Sequence, residues 1–319
     1  MKKINARKLN NMAINVQENI PLAPLTTFNI GGPAKYFVDV RTETDLREAI
    51  LWAKEKDTEF VILSGGSNAL VPDEGLNKLV IHITRGDFSI REQSLTADAG
   101  CNLLELIRAA SENNLGGWEK LAGIPGTIGG AIRGNAGAFG TEIKDLPVKV
   151  RALNSKTAKI KEFQNADCDF AYRHSFFKDN PEWIITNLAV RLLKVARAES
   201  LRLIENTIAE REKRHLQNIQ AAGSYFMNPV APEEVRGMFE NEKGMKARED
   251  RVPAGWLIEK AGMKGAKVGG AIASLQHPNY LVNEGKATAR DVKELAQKIK
   301  DAVRTKFAIS LQEEAVVLS

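Results

Sequence analysis

The chain has 319 residues, 43% hydrophobic and 27% charged, with a formal net charge of +5; this is the composition of a folded, multi-domain protein and excludes a low-complexity chain. Four of the 45 basic residues, Lys2, Lys3, Arg7 and Lys8, crowd into the first eleven positions without an acid, so the remainder is close to neutral and argues against nucleic acid as a partner. Two cysteines outside any CxxC pair, four scattered histidines and no apolar run of about 18 residues argue against a disulfide framework, a zinc site and a membrane span, and a cytoplasmic protein is expected.

Residues 1–18 read as a basic, solvated tail. "KYFVDV" (35–40) then predicts a strand and "TETDLREAILWAKEKD" (42–57) a helix, with Thr42 and Asp45 in capping-box register and Leu46, Ala49, Ile50 and Ala53 at helical spacing. "EFVIL" (59–63) and "KLVIHI" (78–83) are apolar, β-branched runs that predict two more strands around a glycine loop. From 85 to 195 the pattern becomes α+β with antiparallel strands: "SLTADAG" (94–100), "VKVRALN" (148–154) and "WIITNLAVRLL" (183–193) surround the helical "NLLELIRAASENN" (102–114). A helix over 199–214 opens a third region. The clearest helix spans 288–307, capped by Thr288 with Asp291 three residues on, and striped by Val292, Leu295, Ile299, Val303 and Phe307. "EAVVL" (314–318) predicts a closing strand.

Two stretches are too rich in glycine to be ordinary turns. "SGGSNALVPDEG" (64–75) follows a strand, where an α/β unit presents backbone N–H groups to ligands. "GIPGTIGGAIRGNAGAFG" (123–140) carries seven glycines, each costing about 0.5–1 kcal/mol in a regular element. Neither fits GxGxxG opening a helix or the GK[ST] ending of a P-loop. Either loop alone is compatible with a structural turn; two in one chain point to a diphosphate held from two sides.

Here the residues carry a resemblance. "TTFNIGGPAKYFV" (26–38), the two glycine loops, "FAYRHSFFK" (170–178), "GSYFMNP" (223–229), "AGWLIEKAGMKG" (254–265) and "LQEE" (311–314) together resemble, in order, the UDP-N-acetylenolpyruvoylglucosamine reductase family. The resemblance runs from about residue 19 to the end. It implies an α+β fold of three domains. Residues 19–84 and 85–197 would form an FAD-binding unit of the vanillyl-alcohol-oxidase-like type, and 198–319 an α+β substrate-binding domain. It implies non-covalent FAD, NADPH as hydride donor and UDP-N-acetylglucosamine enolpyruvate as substrate, in peptidoglycan precursor synthesis, by a monomer.

The same resemblance assigns roles. Ser64, Gly65, Gly66, Ser67 and Asn68, with Gly123, Pro125, Gly126, Thr127, Gly129 and Gly130, would hold the cofactor. Arg173 would contact the substrate carboxylate, Ser224 would be the proton donor, and Glu314 would polarise the enolate, with Glu313 as the alternative. Tyr172, Arg214, Asn228 and His277 are candidates for substrate contacts. Five positions depart from the family pattern: Ser64 stands for a glycine, Arg133 for an uncharged residue, Met227 for a lysine, Ala315 for a valine, and Val316 for an arginine. The competing readings are another FAD-dependent oxidase or dehydrogenase, and a non-catalytic nucleotide or nucleic-acid binder using the basic tail.

Overall fold

Helix Glu43–Glu55 starts where its capping box predicts: Thr42 Oγ1 accepts from Asp45 N at 3.1 Å, and Thr42 N donates back to Asp45 Oδ2 at 3.0 Å. Such a cap is worth about 1 kcal/mol. Its stripe Leu46, Ala49, Ile50 and Ala53 packs with Val38, Val40, Leu79 and Ile81 into one buried cluster. The computed structural model of the chain describes residues 14–213 and 218–319. The expected basic tail therefore lies outside the described residues as far as position 13. Its last residues do not behave as a tail: Ile14 and Val16 pack on that cluster, and Gln17–Pro21 is a strand. Alternating apolar residues there mattered more than the basic charges before them.

The chain divides into two compact units. One holds Ala34–Gly65 and Asn77–Arg211 with the chain up to Ile20; the other holds Pro21–Pro33, Gly66–Leu76 and Glu212–Ser319. The division falls inside the first glycine loop, between Gly65 and Gly66.

The first unit is built on two larger sheets. One is ordered Gln17–Pro21, Pro33–Val40, Leu76–Ile83, Phe60–Leu63, its last two strands parallel with Phe60 opposite Leu79. The other has five antiparallel strands in the order Ile160–Gln164, Val148–Asn154, Trp183–Arg191, Ser94–Asp98, Phe88–Arg91. Helix Leu103–Glu112, capped by Asn102 Oδ1 from Glu105 N, buries Leu103, Leu106, Ile107 and Ala110 in the core of this second sheet. Helix Ile128–Gly134, unforeseen in the glycine-rich stretch, contributes Ile128, Ala131 and Ile132 to the same core.

The second unit is built on helix Ala289–Phe307, with the predicted Thr288–Asp291 capping box and a fully buried apolar stripe. A three-stranded antiparallel sheet, Lys267–Val268, Ala271–Ala273 and Leu281–Asn283, packs on it. Of the predicted closing strand only Val316–Val317 is regular, paired in parallel with Ala69–Leu70.

Candidate active site

In the first unit, strand Phe60–Leu63 delivers Ser64 and Gly65 against the second glycine loop. Ser64 Oγ donates to Ile83 O at 3.2 Å and lies 2.8 Å from Thr127 Oγ1. Ser64 has one hydroxyl proton, so Thr127 donates to Ser64 while its own oxygen accepts from Gly130 N at 3.3 Å. The result is a continuous chain from the Gly130 amide through both hydroxyls to the Ile83 carbonyl. The serine in place of the family's glycine thus ties the loops together.

Three glycines are demanded by the protein itself. A Cβ on Gly65 would sit 2.9 Å from Gly126 Cα, one on Gly129 would sit 2.7 Å from Ala99 Cβ, and Gly126 has φ +117°. The backbone is fastened by Ile128 N to Cys101 O and Gly129 N to Ala99 O, both 2.9 Å, and by Leu103 N to Gly126 O, 3.1 Å. Gly130 differs. It is exposed, and a Cβ there would meet only Thr127 Oγ1, at 3.5 Å. Packing explains Gly129; nothing in the packing asks for Gly130. Gly123, with φ +81°, is half-buried, and Pro125 is exposed.

Downstream, Asn135 takes the left-handed conformation at the helix end, φ +43°, and is fully buried. Its amide donates to Glu142 Oε2 at 2.9 Å and to Ala171 O at 2.8 Å, while its oxygen accepts from Lys144 N at 2.9 Å. Ala171 and His174 exchange backbone hydrogen bonds of 3.2 and 3.0 Å, leaving Tyr172 and Arg173 as the two central residues of a tight hairpin. Arg173 has φ +56° at the second central position, where a type II turn favours glycine. Holding a bulky residue there costs about 1–3 kcal/mol. Its guanidinium donates to Gly137 O at 3.1 Å and lies 5.2 Å from the centre of the Tyr172 ring. Lys178 Nζ donates to Arg173 O at 2.7 Å, and fully buried Ser175 donates to Arg133 O at 2.7 Å. Asn135 and Ser175 were missed by the sequence reading. The asparagine had a signal, since it is the side chain most tolerant of the left-handed region among glycines.

In the second unit, Gly66 has φ +59°, and a Cβ there would collide with the Leu25 carbonyl. Ser67 and Asn68 are half-buried. Asn68 Nδ2 donates to Glu314 O and Asn68 O accepts from Val316 N, both at 2.9 Å. Glu314 N donates to Tyr225 O at 2.8 Å and Met227 N to Gln312 O at 2.9 Å, so the segments holding Ser224 and Glu314 run side by side. Asn279, 2% exposed, grips this arrangement: its side chain accepts from Phe226 N at 3.0 Å and donates to Phe226 O at 2.9 Å, and its own carbonyl accepts from Tyr225 N at 2.7 Å. Nothing in the spacing of the sequence singled out Asn279. Glu313 forms an isolated antiparallel bridge with Phe226. Glu313 pairs with Lys300 at 3.2 Å.

Asn228 Oδ1 accepts from Ala254 N at 3.0 Å, and Asn228 O from Arg251 Nη1 at 2.9 Å. The His277 ring stands edge-on to Tyr280 at 4.9 Å. Arg214 lies outside the described residues. The structure therefore groups Ser64, Gly65, the 123–130 loop, Tyr172 and Arg173 in the first unit. It groups Gly66, Ser67, Asn68, Ser224, Asn228, His277 and Glu314 in the second.

Comparison with known proteins fits this division. Residues 34–163 match an FAD binding domain family, and residues 214–318 match the UDP-N-acetylenolpyruvoylglucosamine reductase C-terminal domain. The chain is similar to the UDP-N-acetylenolpyruvoylglucosamine reductase of Solibacter usitatus, with 35% identity covering 94% of this chain and 95% of that one. It is 37% identical to that of Caldicellulosiruptor saccharolyticus, covering 97% and 93%. The crystal structure of the enzyme of that name from Thermus caldophilus superimposes with a TM-score of 0.74 at 30% identity, covering 97% of this chain and all of the other.

Proposed function

The chain belongs to the UDP-N-acetylenolpyruvoylglucosamine reductase family, and from that membership and the geometry above we infer its reaction. It is an FAD-dependent oxidoreductase that reduces UDP-N-acetylglucosamine enolpyruvate to UDP-N-acetylmuramate at the expense of NADPH. The observation that carries the cofactor is the glycine cradle. Two loops are fastened by the Ser64–Thr127 hydroxyl pair, and the Gly130 surface is kept clear although packing does not require it. Residues of this kind fit a diphosphate, which needs converging donors and no side chain in its way. When bound, FAD would supply the hydride-transfer chemistry between NADPH and the enolpyruvyl group.

The roles of the chain's own residues are part of the proposal. Arg173 stabilises the carboxylate as charge spreads into it; its planar, permanently charged fork suits two oxygens better than a lysine would. The left-handed turn and the Gly137 carbonyl that hold the guanidinium support this role. Ser224 gives its hydroxyl proton to the carbon next to the carboxylate, a base strong enough to take it. Glu314 polarises the enolate as the protonated acid. Ser64–Asn68 and Gly123–Gly130 hold the cofactor, and Tyr172, Arg214, Asn228 and His277 contact substrate. The divisions at 84/85 and 197/198, the monomeric state and the cytoplasmic location belong to the same reading. In support of the last, no helix among the described residues is long and apolar enough to cross a membrane.

The test is to add NADPH to the yellow protein without oxygen and then the enolpyruvyl substrate. Bleaching by NADPH followed by return of colour with that substrate is expected. Bleaching without return would assign the chain to a different substrate, and a colourless protein that takes up no FAD would remove the flavin reading altogether.

A further inference from the structure

Arg133 is the one charged residue in the 123–140 stretch and stands where the family pattern carries an uncharged side chain. It lies in the last turn of helix Ile128–Gly134. Ile128, Gly129, Ala131 and Ile132 of that helix are buried, so its outward face is Gly130, Arg133 and Gly134. Residues three apart share a helix face, and a helical side chain leans back over the preceding turn. Arg133 and Gly130 therefore share the outward face of the helix, where Gly130 presents no side chain. A Cβ on Gly130 would find only Thr127 Oγ1 at 3.5 Å, and one on Gly134 would find nothing within 4 Å. Alanine would favour the helix at both positions by about 1 kcal/mol each. The glycines keep this face clear, and Arg133 is the charged residue on it.

Among the described residues no carboxylate lies within ion-pair distance of Arg133, and partial burial pushes its pKa below the ordinary arginine value. A cation held half out of water without a counterion is an expense that an anionic ligand would offset. Its backbone is pinned by the Ser175 hydroxyl on Arg133 O at 2.7 Å, which keeps the last helical turn in place.

We propose that Arg133 is a cofactor-binding residue, its guanidinium pairing with the diphosphate of FAD across the bare surface of Gly130. This rests on the FAD-dependent reading above. The plainer alternative is that Arg133 only complements the carbonyl end of its short helix, a local effect on stability.

The experiment titrates FAD, and separately riboflavin, into the deflavinated full-length chain at several salt concentrations. Arg133→Met should weaken FAD binding by about 10- to 100-fold, the worth of a charge-assisted hydrogen bond to phosphate, and should flatten its salt dependence. Riboflavin, which has no phosphate, should bind both proteins alike. Arg133→Lys should keep the salt dependence and part of the affinity. Circular dichroism of each variant checks the fold. Wild-type FAD affinity and salt slope in Arg133→Met would overturn the inference alone, as would an equal loss for riboflavin. Failure of the wild-type chain to bind FAD at all would overturn the FAD reading together with it.

Discussion

The hydroxyls of Ser64 and Thr127, 63 residues apart in sequence, lie 2.8 Å from each other. One ends a strand and the other caps a helix, and between them the two glycine loops close on Gly65 and Gly126. If this pair holds the cradle, its members act as a unit. Ser64→Ala and Thr127→Val should each weaken FAD binding about fivefold, and the double variant should be little worse than the weaker single. The coupling from a double-mutant cycle is expected near 1 kcal/mol, the net worth of such a hydrogen bond. Strict additivity would mean that the hydroxyls serve the loops independently.

Gly129 and Gly130 are adjacent and should fail in different ways. Gly129→Ala drives a methyl into Ala99 and should destabilise the fold by about 1–3 kcal/mol, with a lower midpoint in urea. Gly130→Val has room in the protein and should fold as well as wild type, yet purify without colour, because its branch occupies the face left for the diphosphate. A yellow Gly130→Val protein would remove that residue from the cofactor site.

Arg173 and Ser224 should separate stability from chemistry. Arg173→Gly relieves the left-handed backbone, so the thermal midpoint should stay or rise, while reoxidation of the flavin by substrate is lost. Ser224→Ala should leave reduction by NADPH within a few-fold of wild type and slow reoxidation by roughly 10²–10⁴, the usual worth of a positioned general acid. Stopped-flow absorbance reads both halves in one protein. If Ser224→Ala slows both equally, the serine is structural and the proton comes from elsewhere.

The two thiols should be silent. Cys101 and Cys168 are 5% and 0% exposed; burial pushes the first up to about 11 and the second to about 12, with Asp98 and Asp167 adding repulsion. Neither should react with a disulfide reagent near neutral pH until the chain unfolds. The sign of the linkage follows. Above about pH 9 the unfolded chain has released thiol protons that the native chain still holds, so stability falls as pH rises through that window. The urea midpoint should drop over this range, and by less in a Cys101→Ala, Cys168→Ala variant. An identical drop in that variant would assign the loss to other groups.

The helices Glu43–Glu55 and Ala289–Phe307 were readable to within two residues because their caps and apolar stripes are local patterns, satisfied by the chain's own neighbours. The glycine loops and the ordered motif set were equally plain, and with them the family. What no local pattern carries is which distant segments share a unit. The loop 64–75 is divided at Gly65 and Gly66, and Gly66–Leu76 joins Pro21–Pro33 and the C-terminal third because Phe28, Ile30 and Leu70 bury in its core. Helix Ile128–Gly134 was hidden by its glycines, which local propensity counts against a helix and which burial of Ile128, Ala131 and Ile132 overrides. Composition placed glycine at 65, 129 and 130 alike; only tertiary packing separates the two that the protein needs for itself from the one it keeps clear. The same holds for Asn279 and for the left-handed Arg173, whose meaning lies in backbone partners that sequence distance conceals.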